Sequence, residues 1–315
     1  MTEVAVIGAG TMGHALALVF ALGGHRVRLT DANPATLARA PALMRTAVET
    51  LAEAGEVDTE AASRLAQSVR LCNTLAETVQ GAELVIEAII ERPDVKRTLY
   101  AELDRLMEPD AILASNTSNL NIFPLVPPAR QKRTAIAHWY TPPYLCDLVD
   151  VVPGPETDPA VIETLRATVA AMGKVPVVFK QFVQGYVANR IQAAIGLEVQ
   201  HLLDEGLVTP RDIDQSVLHG IALRMPILAV LAKADFTGLE LLRDGMANRS
   251  YTPPTPRDHS ETLDKLVSEG RTGVMAGRGY FDWGGRAPEE LFRERDRKLL
   301  ALKRALRDIK PMEGT

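Results

Sequence analysis

The chain is 315 residues long, 46% apolar and 24% charged, with a formal net charge of -5, the balance of a folded globular protein long enough for two domains. The acidic excess argues against nucleic acid or an anionic membrane as the main partner. Cys72 and Cys146 are too few for a disulfide framework or a thiolate metal site and suit a reducing, cytoplasmic setting. No apolar run reaches transmembrane length, and the N-terminus enters a strand at once, leaving no room for a signal peptide.

In chain order, "EVAVIGAGTMGHALALVFALGGHRVRLTDAN" carries the strongest signal. Residues 4–7 read as an apolar strand, Gly8, Gly10 and Gly13 fill a G-x-G-x-x-G pattern, and an apolar helix face follows. A second strand, residues 26–30, ends at Asp31. Gly8 permits the tight turn, Gly10 lets a pyrophosphate approach the backbone, and Gly13 lets helix and sheet approach closely. Amides at the helix start face the phosphate charge. Asp31 can bind both ribose hydroxyls and would repel a 2′-phosphate, which predicts a site for NAD rather than NADP. His14, directly after the motif, reads as a helix-start histidine, within reach of the phosphates but with no ligand role required.

Residues 34–69 show helical periodicity broken at Gly55 and read as a helical hairpin arm. "GAELVIEAII" is a strand, "RPDVKRTLYAELDRLM" an amphipathic helix opened by Pro93, and "DAILASNTSNL" a strand and polar loop. Ligands of open α/β sheets sit beyond the carboxyl ends of the strands, where residues 115–119, Glu91 and His138 fall. "AIAHWYTPPYLCDLVDVV" reads as two apolar strands carrying His138 and Asp150. Both are costly to desolvate unless they partner each other. The apolar neighbours in "LVDVV" leave open whether Asp150 faces solvent, and His138 could be a structural strand-end residue.

From Gln184 onward the pattern is helical. "GYVANRIQAAIGLEVQHLLDEG" is a long helix ended by Gly206, "TPRDIDQSVLHG" is capped by Thr209, and "PILAVLAKADFTGLELLRDGM" gives apolar helices with little polar face. The expected domains are residues 1–183 and 184–315. The six histidines are scattered without H-x-x-x-H or H-E-x-x-H spacing, so no metal is expected.

Taken together, "GAGTMG", "VIEAIIERPDVK", "ASNTSNL", the segment from His138 to Asp150, "GYVANRI", "RMPILAVLAKADFTGL" and "GRTGVMAGRGYFDW" resemble the L-3-hydroxyacyl-CoA dehydrogenase family nearly end to end. The resemblance implies a Rossmann-type doubly wound α/β sheet followed by an all-α C-terminal domain that forms a homodimer. It implies that His138 is the catalytic histidine and Asp150 its acid, with Ser118 and Asn189 at the reacting oxygen and Glu91 and Lys96 on the cofactor side. With the glycine turn, the NAD-contacting set becomes Gly8, Gly10, Thr11, Met12, Gly13, Asp31, Glu91, Lys96, Asn116 and Ser118.

Departures cluster around substrate. Asp150 is one methylene shorter than the family's glutamate, so its contact with His138 should need a backbone shift or a water. Thr141 replaces an asparagine, Gln184 a proline and Met275 a lysine, and the Gly-Pro expected near Ala229 and Val230 is missing. No lysine occurs before Lys96, leaving the arm Arg39, Arg45 and Arg64 as cations for a coenzyme A tail. The expected activity is NAD-dependent oxidation of a 3-hydroxyacyl-CoA or 3-hydroxy acid to the ketone, with His138 as general base. The alternatives are the same chemistry on a small non-CoA hydroxy or aldehyde carboxylate (gulonate, carnitine or a pyridine carboxylate) and a non-catalytic NAD-binding protein.

Overall fold

The computed structural model describes residues 1–58 and 68–312, and the chain divides into two units, Met1–Val187 and the residues from Ala188 on. In the first unit eight described strands form one sheet: β1 (Glu3–Ile7), β2 (Arg26–Thr30), β3 (Val69–Leu71), β4 (Leu84–Glu87), β5 (Ile112–Ser115), β6 (Thr134–Trp139), β7 (Leu148–Pro153) and β8 (Val175–Val178). Their spatial order is β3-β2-β1-β4-β5-β6-β7-β8. Every neighbouring pair is parallel except β6 with β7. The order reverses between β1 and β4, which opens a crevice at the carboxyl ends of the strands.

Strand alternation divides the apolar residues between two cores. Val4 and Val6 join a core with the helix α1 (Gly13–Leu22) and with α2 (Pro34–Glu53), whereas Ala5 and Ile7 face a second core. That second core includes Tyr100 and Leu103 of α4 (Pro93–Leu106), which follows the short α3 (Leu75–Val79). The parity carries through β6 and β7. Ala137, Trp139, Val149 and Val151 lie on the α1 side, and Ile136 and Val152 on the other. His138 and Asp150 share the parity of Ile136 and Val152, so both point into the second face. The short α5 (Pro128–Gln131) and then α6 (Pro159–Ala171) complete the unit.

The expected arm is seen in its first half. α2 is capped by Asn33, whose side chain accepts from the Ala35 amide, and the chain turns at Gly55 with φ +70°. Residues 59–67, including Arg64, lie outside the described part.

The second unit is helical. Its elements are α7 (Ala188–Asp204), α8 (Pro210–Ser216), α9 (Met225–Leu228), α10 (Leu231–Thr237), α11 (Leu239–Ala247), α12 (Glu261–Ser268) and α13 (Pro288–Ile309). Thr209 and Asp212 form a reciprocal capping box at α8, as the Thr-Pro start predicts. Ala229, between α9 and α10, has φ +48°, a conformation that favours glycine and costs an alanine about 1–3 kcal/mol. This is where the sequence lacks an expected Gly-Pro. Much of the apolar surface here is uncovered: Leu231 is 79% exposed, Phe236 67% and Met246 76%. Among the described residues, no single helix is long and apolar enough to cross a membrane.

Candidate active site

The glycine turn leaves β1 and enters α1 under tight steric control. Gly8 has φ +97°, and a Cβ there would stand 2.7 Å from the Ala88 carbonyl oxygen. A Cβ on Gly13 would overlap the Gly8 carbonyl, while one on Gly10 would meet nothing within 4 Å. Gly13 is therefore required by the fold, and Gly10 keeps the turn open to a ligand. Met12 offers α1 no side-chain cap, so the first amides of the helix remain available to an anion. Asp31 at the end of β2 accepts from the Ala9 amide at 2.7 Å and the Asn33 amide at 2.7 Å. A carboxylate has about four acceptor positions, which leaves capacity for a pair of ribose hydroxyls. These features fit a dinucleotide. Thr11 is exposed on the turn. His14 lies beside it with Nδ1 2.6 Å from the Gly10 carbonyl. Burial holds its imidazole below the ordinary range, opposed by that hydrogen bond and helped by Arg39.

A buried polar knot stands at the ends of β4 and β5. Glu87 is 0% exposed, and its carboxylate accepts from Lys96 Nζ at 2.6 Å, Tyr100 Oη at 2.6 Å, Ser115 Oγ at 2.6 Å and the Ile89 amide at 2.8 Å. Lys96 and Tyr100 lie one helical turn apart on α4 and so meet the same acid. Burial, then the charge of Glu87, pushes the Tyr100 phenol well up, which keeps it a donor. Lys96 Nζ also reaches Glu91 at 3.4 Å. Glu91 Oε1 accepts in turn from Thr117 Oγ1 at 2.5 Å and from the amides of Ser118 at 2.8 Å and Asn119 at 3.1 Å. Partial burial raises the Glu91 pKa, but these bonds and Lys96 outweigh it and leave the group below its usual value. The loop carrying Ser118 is thus hung from a carboxylate that is itself held by the knot.

His138 and Asp150 are directly opposed residues of the antiparallel β6–β7 pair. They are 3% and 1% exposed, and His138 Nδ1 lies 3.2 Å from Asp150 Oδ2. An ionised carboxylate only accepts, so the proton sits on Nδ1, and no described group engages Nε2. The shorter acid therefore reaches the histidine directly. No bridging water is needed, because facing residues of an antiparallel pair bring their Cβ atoms to about 5 Å. Asp150 does not face solvent. Tyr140, two residues beyond His138 and on the same side of the chain, donates to Asp150 Oδ2 at 2.7 Å. The rings of Tyr140 and Tyr186 each stand 4.6 Å from the His138 ring. Tyr186 is fully buried with φ +51°, and its hydroxyl donates to the Thr117 carbonyl at 2.6 Å. Burial, then Glu91 and Asp150, pushes its phenol up.

The remaining expected residues divide. Asn116 Oδ1 accepts from the Trp139 amide at 2.8 Å, tying β5 to β6 beside the histidine. Met12 Sδ lies 3.0 Å from Thr141 Oγ1, so the turn after β6 touches the glycine turn. Lys96, read from sequence as a cofactor-side residue, is 1% exposed with its ammonium between Glu87 and Glu91. Asn189 belongs to the second unit, partly buried in the first turn of α7. Sequence reasoning missed Glu87, Tyr140 and Tyr186.

Comparison with known proteins agrees over the whole chain. Residues 3–182 match the model for the NAD-binding domain of 3-hydroxyacyl-CoA dehydrogenase, and residues 185–283 the model for its C-terminal domain. A 5-formyl-3-hydroxy-2-methylpyridine 4-carboxylate 5-dehydrogenase of Mesorhizobium japonicum is 32% identical over 96% of this chain and 98% of its own. An L-carnitine dehydrogenase of Streptomyces coelicolor is 31% identical over 99% of this chain and 97% of its own. The crystal structure of an FHMPC 5-dehydrogenase, described as an NAD+-dependent dismutase, superposes with a TM-score of 0.86 at 30% identity, covering 98% of this chain and 99% of that one.

Two outcomes test the site. Asp31→Ala should raise the ratio of NADP to NAD affinity by at least about tenfold, measured by titration calorimetry, since a hydrogen-bond acceptor and a like charge are removed together. An unchanged ratio would undo the ribose assignment. Lys96→Met should destabilise the protein by about 3–5 kcal/mol in urea unfolding, because it strips a buried carboxylate of its cation. A loss below about 0.5 kcal/mol would show that Glu87 does not need the ion pair.

Proposed function

The chain belongs to the 3-hydroxyacyl-CoA dehydrogenase family of NAD-dependent oxidoreductases, and on that premise we propose that it oxidises a hydroxyl group on a small carboxylate not linked to coenzyme A, with His138 as general base. The observation that carries the proposal is the buried His138–Asp150 pair, with Nδ1 committed to the acid and Nε2 left to exchange a proton.

NAD, held by the glycine turn after β1 and by Asp31, would supply the acceptor for the hydride of the carbinol carbon. His138 Nε2 takes the hydroxyl proton as that hydride leaves, and Asp150 holds the tautomer and stabilises the imidazolium. The Ser118 hydroxyl, on the loop hung from Glu91, is available to hydrogen-bond the oxygen as its charge changes. An aldehyde entering as its hydrate meets the same base, since it too loses a hydroxyl proton and a hydride.

Two features favour a small carboxylate over an acyl-CoA. Relatives matching nearly the whole chain are named for a pyridine carboxylate and for carnitine. The arm has no lysine, and among its described residues only Arg39 and Arg45 are cationic, a weak match for the several phosphate charges of coenzyme A. We place the enzyme in the cytoplasm, in keeping with a sequence that holds only two cysteines. We also assign it a homodimer, in which a second copy covers the exposed apolar helices of the second unit.

NAD reduction with a panel of hydroxy acids, carnitine and pyridine carboxylates, run beside NADH oxidation by acetoacetyl-CoA, tests the substrate class. Turnover of a free carboxylate is expected, and rapid turnover of the CoA ester alone would overturn the reading. NAD binding with no turnover of any of them would leave a non-catalytic NAD-binding protein. On the substrate found, His138→Ala should cost about 10²–10⁴-fold in kcat with NAD affinity retained. Sedimentation at micromolar concentration should return the mass of two chains, and a single-chain mass would exclude the dimer.

A further inference from the structure

Asp150 receives two donors, and both converge on one oxygen. Tyr140 Oη is 2.7 Å from Oδ2 and His138 Nδ1 is 3.2 Å from the same atom, while Oδ1 is buried with no hydrogen-bond partner among the described residues. The tyrosine therefore makes the shorter bond to the acid that serves the histidine. Its ring lies edge-on to the imidazole, with centroids 4.6 Å apart. Burial, then the hydrogen bond to Asp150, pushes the phenol up, so Tyr140 stays a neutral donor wherever the histidine titrates.

From this geometry we propose that Tyr140 is a positioning residue that acts through Asp150 to fix the acid's rotamer and to weaken its hold on the protonated imidazole. A carboxylate that shares its charge with a second donor stabilises a neighbouring cation less, so the tyrosine keeps His138 neutral, and able to accept a proton, at lower pH. Among the described residues, the other ring against the imidazole is that of Tyr186, from the segment after β8, and the charges of Glu91 and Asp150 both act on that tyrosine. Its hydroxyl donates to the Thr117 carbonyl and not to Asp150. With Oδ1 unpartnered among the described residues, the orientation of the acid depends on its two bonds at Oδ2.

This inference rests on His138 being the base, and its test separates the two. In protein labelled with 15N-histidine, the His138 signal is identified by its loss in His138→Ala and followed against pH. Tyr140→Phe keeps the ring, and the His138 midpoint should rise by about 0.5–1 unit. The same substitution in an Asp150→Asn background should leave the midpoint where Asp150→Asn alone puts it, because the acid through which the tyrosine acts has lost its charge. Midpoints that coincide in wild type and Tyr140→Phe would overturn the proposal. So would an equal rise in the Asp150→Asn background, which would mean that Tyr140 acts on the imidazole without the acid. In the same variant the acidic limb of the kcat/KM profile should move up with the NMR midpoint. A moved midpoint with an unmoved profile would support the positioning role of Tyr140 and reject His138 as the base.

Discussion

A single carboxylate inside the sheet layer organises the crevice. Glu87 ends β4 at the point where strand order reverses, fully buried, and would be untenable there without its four donors. Those donors come from the loop just after β4, from α4 and from β5, so satisfying the charge fixes the spacing of three elements at once. Through Lys96 the same constraint reaches Glu91, and through Glu91 it reaches the backbone of Ser118 and Asn119. Ser118 and Asn119 are loop residues, but their loop hangs from an ionic network anchored in the core, which fixes its position.

At His138 precision comes from the sheet itself. The antiparallel reversal between β6 and β7 places histidine and acid face to face, and Tyr140 and Tyr186 close around the imidazole. Burial of the pair makes the local dielectric low, which strengthens each hydrogen bond and raises the cost of losing one.

Much of this was legible in the amino-acid sequence where local chemistry has only one use. The glycine turn, Asp31 at a strand end and the capped α8 each declare themselves within a few residues. His138 and Asp150 were suspected because charged groups in apolar strands need partners, and the same reasoning applied to Glu87 in "LVIEAII" would have found the knot. Lys96 was placed on the cofactor side by the family resemblance, which says nothing of its bond to Glu87. Only the fold shows that one turn of α4 brings Lys96 and Tyr100 to the same acid. Tyr140 was missed, although a separation of two along an extended chain already puts it on His138's side. Which way Asp150 points could not be read from its apolar neighbours. The parity of the whole sheet decides it, and parity is a property of pairing rather than of any one strand.

The pairing of His138 with Asp150 has one more consequence. The two residues are twelve apart in sequence, and their separation is set by backbone register between adjacent strands. A one-residue slip would turn every side chain of β7 to the opposite face, placing Val149 or Val151 against the histidine and sending the aspartate into the α1 core. The His138–Asp150 pair is therefore quantised: it exists whole in one register and not at all in the next. Changes to the arm or to the loops outside β6 and β7 leave His138 where it is relative to Asp150. A scaffold of this kind can change substrates by small steps while its reaction stays fixed.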